Sequence, residues 1–187
     1  MRADRSFRKP VLNSENGYEY LSGHPTEKKQ VHSTDKVRHS SWRIVCAGGY
    51  FAAGFNGTIG HSDAWNRIDA PNHYTFIVRD EGAANQLGSL YTFFTALPFE
   101  RLQPFDGIQG DAVALAEPGK KYVVYMPHGG KVTVDLGAAK HELMANWFNP
   151  RDGTWGKPFA VVPDRPGEFQ SPDALDWVLV LNAGKEA

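Results

Sequence analysis

Residues 112–136 read AVALAEPGKKYVVYMPHGGKVTVDL, and this stretch decides how the second half of the chain folds. Three runs, Ala112 to Ala116, Tyr122 to Met126 and Lys131 to Leu136, are separated by Pro118-Gly119 and by His128-Gly129-Gly130. Pro and Gly at such places end strands and start turns. In the third run Val132, Val134 and Leu136 alternate with Lys131, Thr133 and Asp135, which is the period of a strand with one buried face. The pattern continues outward. Glu142 to Phe148, Phe159 to Val162 and Trp177 to Leu181 are three more candidate strands, with Asp152-Gly153 and Arg165-Pro166-Gly167 between them. Asp152-Gly153 is a hairpin signal, because glycine accepts the positive φ that tight turns need. Short strands with turn signals about every ten residues predict a two-sheet antiparallel sandwich over about 105–183. Val132, Val134, Trp147 and Trp177 are the expected interior residues.

The first hundred residues follow a different pattern. Lys9 to Ser14 is a short apolar run that leads into Glu15 and turns at Asn16-Gly17, so a strand is expected there. Ser33, Thr34 or Asp35 can cap a helix running through Val37, Trp42, Val45 and Cys46. The small residues from Ala47 to Gly54 end that helix and lead into a loop or strand. Residues 56–72 have no periodicity and read as a long loop. Ala83, Leu87, Leu90, Tyr91, Phe94 and Leu97 then fall at helical spacing, predicting a helix over 83–97 that buries this stripe. Asp80 and Glu81 suit its N-terminus and Pro98 its end.

Composition narrows the class. With 187 residues, 41% of them hydrophobic and 12% aromatic, the chain can bury a full core and is not a disordered segment. A complete (β/α)8 barrel needs about 250 residues and does not fit beside a sandwich. Twenty Lys and Arg balance 21 Asp and Glu, which points away from nucleic acid and acidic membrane surfaces. No apolar run reaches the roughly 20 residues of a membrane span. The opening MRADRSFRKP carries no apolar stretch, so no signal peptide is read there and the compartment stays open. Cys46 stands alone, which excludes an intrachain disulfide and a multi-cysteine zinc site.

Few residues carry chemistry by pattern. His24, His32, His39, His61, His73, His128 and His141 never take the i, i+4 spacing of a helical metal site, so no metal is expected. Gly48-Gly49 and Gly129-Gly130 match no nucleotide-binding spacing, and no cofactor is expected. Cys46 reads as a small core residue, and Ser40-Ser41 lacks a glycine-flanked elbow. Glu15 is the notable acid, since the C-terminal end of a barrel strand is where such folds keep catalytic groups. Taken alone, a glutamate at a turn is more often simply solvated. Among the aromatics, Trp147 and Trp177 read as core, while Trp65, in a loop with His61, Asp63 and Asp69, suits a substrate wall, as does Tyr18 beside Glu15.

Three strings in order carry a resemblance: KPVLNSENGYE at 9–19, VRHSSWRIVCAGGYFAAG at 37–54 and NQLGSLYTFFTALPFERLQP at 85–104. They resemble the last part of the apiosidase-like barrels of glycoside hydrolase family 140 and their uncharacterised relatives. The tail resembles the small β domain appended to those barrels, often labelled a collagen-binding domain of a collagenase. Its most specific pieces are PG-x-x-Y-x-x-Y-x-P at Pro118 to Pro127, W-F-N-P-R-x-G at Trp147 to Gly153, and DWVLVL from Asp176.

The resemblance implies an α+β chain, with a partial (β/α) barrel segment over 1–100 and a C-terminal antiparallel β-sandwich over 105–187. Lys9 to Ser14 would be the seventh barrel strand and Glu15 the nucleophile of a retaining enzyme. Val37 to Gly54 would lead to the eighth strand, and 83–97 would be the closing helix. The acid/base partner of such barrels comes from an earlier strand, and none is read here, so the lone chain is expected to be inactive. It is then a fragment, a split gene product, or a remnant kept as a binding or structural module. The implied partner is a plant or microbial polysaccharide, with self-association or pairing with the missing barrel half to cover an open edge. The other reading is a non-catalytic carbohydrate- or collagen-binding module. Resembling proteins are often secreted or periplasmic.

Overall fold

The computed structural model describes residues 9–17, 19–24, 27–30, 32–53, 82–163 and 166–184. The expected strands of the tail all form: β7 (Val113–Glu117), β8 (Lys121–Met126), β9 (Lys131–Val134), β10 (Leu143–Phe148), β11 (Phe159–Val161) and β13 (Trp177–Ala183). Three short ones join them, β5 (Gln103–Pro104), β6 (Ile108–Gln109) and β12 (Gly167–Gln170). They build a six-stranded antiparallel sheet in the order β11-β10-β13-β8-β7-β5 and a three-stranded one in the order β12-β9-β6. Asn149 N–H bonds to Thr154 O and Gly153 N–H to Asn149 O, so Asp152-Gly153 does close a turn, with Gly153 at φ 76°.

The two sheets enclose one core. Val132 and Val134 of β9 and Phe169 of β12 face Tyr122, Val124, Leu179, Leu181 and Trp147 of the larger sheet. Trp147 is buried as expected, whereas Trp177 is only half-buried and packs against the edge of that core.

The other face of the large sheet is also covered. Val123, Tyr125, Val178, Val180 and Phe148 pack under α1 (Thr34–Cys46) and α2 (Gly82–Thr95). Burial on both sides explains why β8 reads KYVVYM and β13 WVLVLNA, near-continuous apolar runs where a sheet with one wet face would alternate. The centre is aromatic: Trp42 of α1 stacks on Tyr125 at 5.7 Å between centroids and meets Phe93 edge-on at 5.2 Å. Burying each such large side chain contributes about 1.5–3 kcal/mol.

Helix α1 begins where the sequence places it, with the Ser33 hydroxyl accepting from Lys36 N–H at 3.2 Å. Cys46 is fully buried and burial pushes its thiol far above the ordinary range, so it is core, as expected. The predicted face of α2 needs correction. Ala83, Leu90, Phe93 and Phe94 are the buried residues, while Tyr91 is 70% exposed and Leu87 half-buried. Phe93 displaces Tyr91 because its ring is drawn between Phe148 at 4.7 Å and Trp155 at 5.6 Å. The helix ends at Thr95, before Leu97.

Two further strands flank α1. β1 (Leu12–Asn16) and β4 (Tyr50–Ala53) pair in parallel, Leu12 against Tyr50 and Asn13 against Phe51. The first strand thus starts and ends later than the apolar run suggests, and it includes Glu15. Helix α1 touches β1 and β4 as well as β7 and β8, so it is a spacer between the parallel pair and the sandwich. β2 (Tyr20–His24) and β3 (Glu27–Gln30) form a separate antiparallel hairpin. Among the described residues, no helix is long and apolar enough to cross a membrane.

Candidate functional site

Successive residues of a strand point to opposite faces. Asn16, at the end of β1, is buried and turned to α1: its amide donates to Ser41 Oγ at 2.9 Å and its carbonyl accepts from Ser40 Oγ at 3.0 Å. Glu15, one residue earlier, is exposed. Gly17 then lets the chain leave the strand against the helix, since a Cβ there would lie 2.8 Å from Val37 Cγ1 and its φ is 75°. The end of β1 is therefore clamped on its helix side, and the carboxylate beside the clamp is open to solvent. Tyr18 and Trp65, the expected substrate-contacting aromatics, lie outside the described residues, as do Asp63 and Asp69.

Glu19 has a different fate. It is buried, and its carboxylate accepts from the Thr34 hydroxyl at the start of α1 and from Ala83 N–H in the first turn of α2, the latter at 3.2 Å. A carboxylate suits the N-terminus of a helix, where unpaired N–H groups and the dipole favour negative charge. Glu19 is thus a joint between two helices, placed by the turn that follows Glu15.

A second cluster joins α1 to the sandwich. Asp176, just before β13, is 1% exposed. Arg38 grips it with two bonds, Nε to Oδ2 at 2.8 Å and Nη2 to Oδ1 at 2.9 Å. The Tyr125 hydroxyl donates to Oδ2 at 3.2 Å, and His39 Nε2 lies 3.6 Å from Oδ1. Arg151 Nη1 donates to the Asp176 carbonyl at 3.0 Å, while its guanidinium sits 4.9 Å above the Trp177 ring. Burial acts to raise the carboxyl's pKa, but contacts with His39 and Arg38 outweigh it and hold the group at about 2. Burial and the adjacent carboxylate push the Tyr125 phenol far above its usual range. Each polar group here is paired within the protein. This is a clamp, not a reaction centre, and it gives Asp176 and Arg151 of the DWVLVL and W-F-N-P-R-x-G strings a structural reason.

With these geometries in view, comparison with known proteins separates the two halves. Residues 107–182 match the family model described as "Putative collagen-binding domain of a collagenase". The tail therefore carries the β domain that its strings resemble. Solved structures share the fold of nearly the whole chain. One described as a glycoside hydrolase aligns over 96% of this chain at a TM-score of 0.66 and 21% identity. Another, a glycoside hydrolase family 5 protein from Bacteroides vulgatus ATCC 8482, aligns over 93% at 0.68 and 19% identity. The chain spans only 43% and 41% of the length of those two proteins. Comparison with curated protein sequences finds no match.

Sequence reasoning singled out Glu15 but passed over Asp176, Arg38 and Glu19 as joints. Asp176 opens an apolar strand run, Asp-Trp-Val-Leu-Val-Leu, and an acid at the mouth of such a run is the signal that was available. A last surface feature is a groove of about 480 Å³ between α2 and the start of β4. Leu87, Leu90 and Phe94 form its floor, and the exposed rings of Tyr50, Tyr91 and Phe99 stand at its rim.

Proposed function

We propose that this chain is the C-terminal portion of a retaining glycoside hydrolase, with residues 1–100 a (β/α) barrel remnant and 105–187 an accessory β-sandwich. One observation carries the reading: β1, α1 and β4 form a parallel strand–helix–strand unit with an exposed carboxylate, Glu15, near the C-terminal end of its first strand. Catalytic groups of (β/α) barrels occupy that end. The fold shared with glycoside hydrolases supports it.

In this reading Glu15 attacks the anomeric carbon and forms a glycosyl–enzyme intermediate, which water then cleaves. A retaining pair needs a second carboxyl about 5–5.5 Å away to protonate the leaving oxygen. Glu19 does not fill that role, because its two oxygens are committed to Thr34 and Ala83. The lone chain is then inactive, and a carbohydrate remains its natural ligand class. A panel of 4-nitrophenyl glycosides tests this: no release by the 187-residue chain is expected, and turnover lost in Glu15→Gln would refute the incompleteness.

The match of residues 107–182 to a collagen-binding description favours a second reading, a non-catalytic module that binds carbohydrate or collagen. Retention of the chain on immobilised collagen or polysaccharide, unchanged by Glu15→Gln, would favour it.

A further inference from the structure

The stripe Leu87, Leu90, Tyr91 and Phe94 has the i, i+3, i+4, i+7 spacing of a buried helix face, yet the chain's own core covers it only in part. Leu90 and Phe94 are buried, Leu87 is half-buried and Tyr91 stands 70% exposed, all of them lining the groove. Helix α2 therefore presents two apolar faces, one to the sandwich and one to the groove. The groove runs on into β4 through Tyr50 and Phe51. Among the described residues β4 pairs only with β1, and the paired residues Leu12 and Tyr50 are 61% and 54% exposed. Parallel strands are normally covered on both faces and continued by neighbours, and a bare apolar edge of this kind invites pairing.

We infer that the free edge of β4 and the groove beside it form one docking surface for a strand–helix polypeptide. The incoming strand extends the sheet parallel to β4, and an apolar helix face fills the groove against Leu87, Tyr91 and Phe94. The inference rests on the barrel reading and names the surface through which the barrel is completed. More than half the length of the aligned glycoside hydrolases has no counterpart in this chain, which argues for a preceding barrel segment as the occupant over a second copy. Ridge-into-groove packing gives a helix, rather than a loop, the shape to fit an i, i+3, i+4, i+7 stripe.

The test expresses the polypeptide encoded immediately upstream of residue 1 separately and titrates it against the 187-residue chain by sedimentation velocity. A 1:1 complex is expected. Tyr91→Glu should weaken it about tenfold or more, since a charge buried in an apolar contact is strongly disfavoured. Tyr91 is exposed, so this variant folds, and Val162→Glu, at another exposed apolar position, should leave the affinity unchanged. A complex indifferent to both Tyr91→Glu and Tyr50→Glu overturns the docking surface while sparing the barrel reading. An upstream sequence without strand–helix units, or one that forms no complex, overturns both. A homodimer of the chain abolished by Tyr91→Glu overturns the proposed occupant.

Discussion

Arg38 in α1 and Asp176 at the mouth of β13 form a buried two-pronged ion pair across 138 residues of sequence. It is the polar fastening between the helical layer and the sandwich, set beside the aromatic packing of Trp42 on Tyr125. Buried pairs of this kind add little net stability over well-packed apolar groups, but breaking one is costly. Their geometry fixes one arrangement of the layers.

The first prediction follows from that asymmetry. Arg38→Ala should destabilise the protein by about 3–5 kcal/mol, because Asp176 is left buried and charged. Combining Arg38→Met with Asp176→Asn should recover a large part of the loss. Urea denaturation followed by tryptophan fluorescence measures both, and a single-variant loss under about 0.5 kcal/mol, the range of ordinary surface changes, would contradict the clamp.

The same carboxylate sets an acid limit. Its folded pKa of about 2 lies below the ordinary aspartate value, so its contribution is present above pH 4 and is lost as pH falls from there toward 2. The shift corresponds to about 2 kcal/mol. Stability measured against pH should fall across this window, and Asp176→Asn should flatten that part of the curve.

How much of this was legible in the sequence depends on whether the signal is local. Alternation in Lys131 to Leu136 and the turns between runs placed the main strands, because period and turn chemistry act over a few residues. β12 escaped notice: Pro166-Gly167 reads as a turn, and Phe169 is its one buried side chain. The interior of α2 was misread at Tyr91, since the spacing of 87, 90, 91 and 94 reports an apolar face without reporting what covers it. Charged residues such as Arg38, Asp176 and Glu19 are surface groups by default, and only a partner far along the chain makes their burial tolerable. Glu15 was singled out on its place after a strand, and the structure puts it within one, exposed.

The corrected helix face has its own test. Leu90→Ala should cost about 2–5 kcal/mol, as for other large-to-small changes in a core. Tyr91→Ala in the isolated chain should change stability by no more than about 0.5 kcal/mol. Equal losses at the two positions would mean that Tyr91 is buried after all.

Two adjacent glycines should behave differently. Gly129 has φ 58°, and a Cβ there would sit 2.3 Å from Asp173 O and 2.8 Å from Leu175 O. Gly130 has φ 85° with open space around it. Gly130→Ala should cost only the left-handed backbone penalty of about 1–2 kcal/mol. Gly129→Ala should cost more, because backbone carbonyls next to Asp176 must move. Thermal melting of both variants distinguishes them, and equal midpoints would contradict the close approach.

The central claim is that Glu15 is the nucleophile of a barrel completed by another segment. The direct measurement is mass spectrometry of the chain, alone and with its upstream polypeptide, after exposure to a panel of 2-deoxy-2-fluoro glycosides that arrest retaining enzymes at the covalent stage. The account predicts a glycosyl adduct on Glu15 in the combined sample and none on the lone chain. An adduct on another carboxylate, or labelling of the chain by itself, would contradict it.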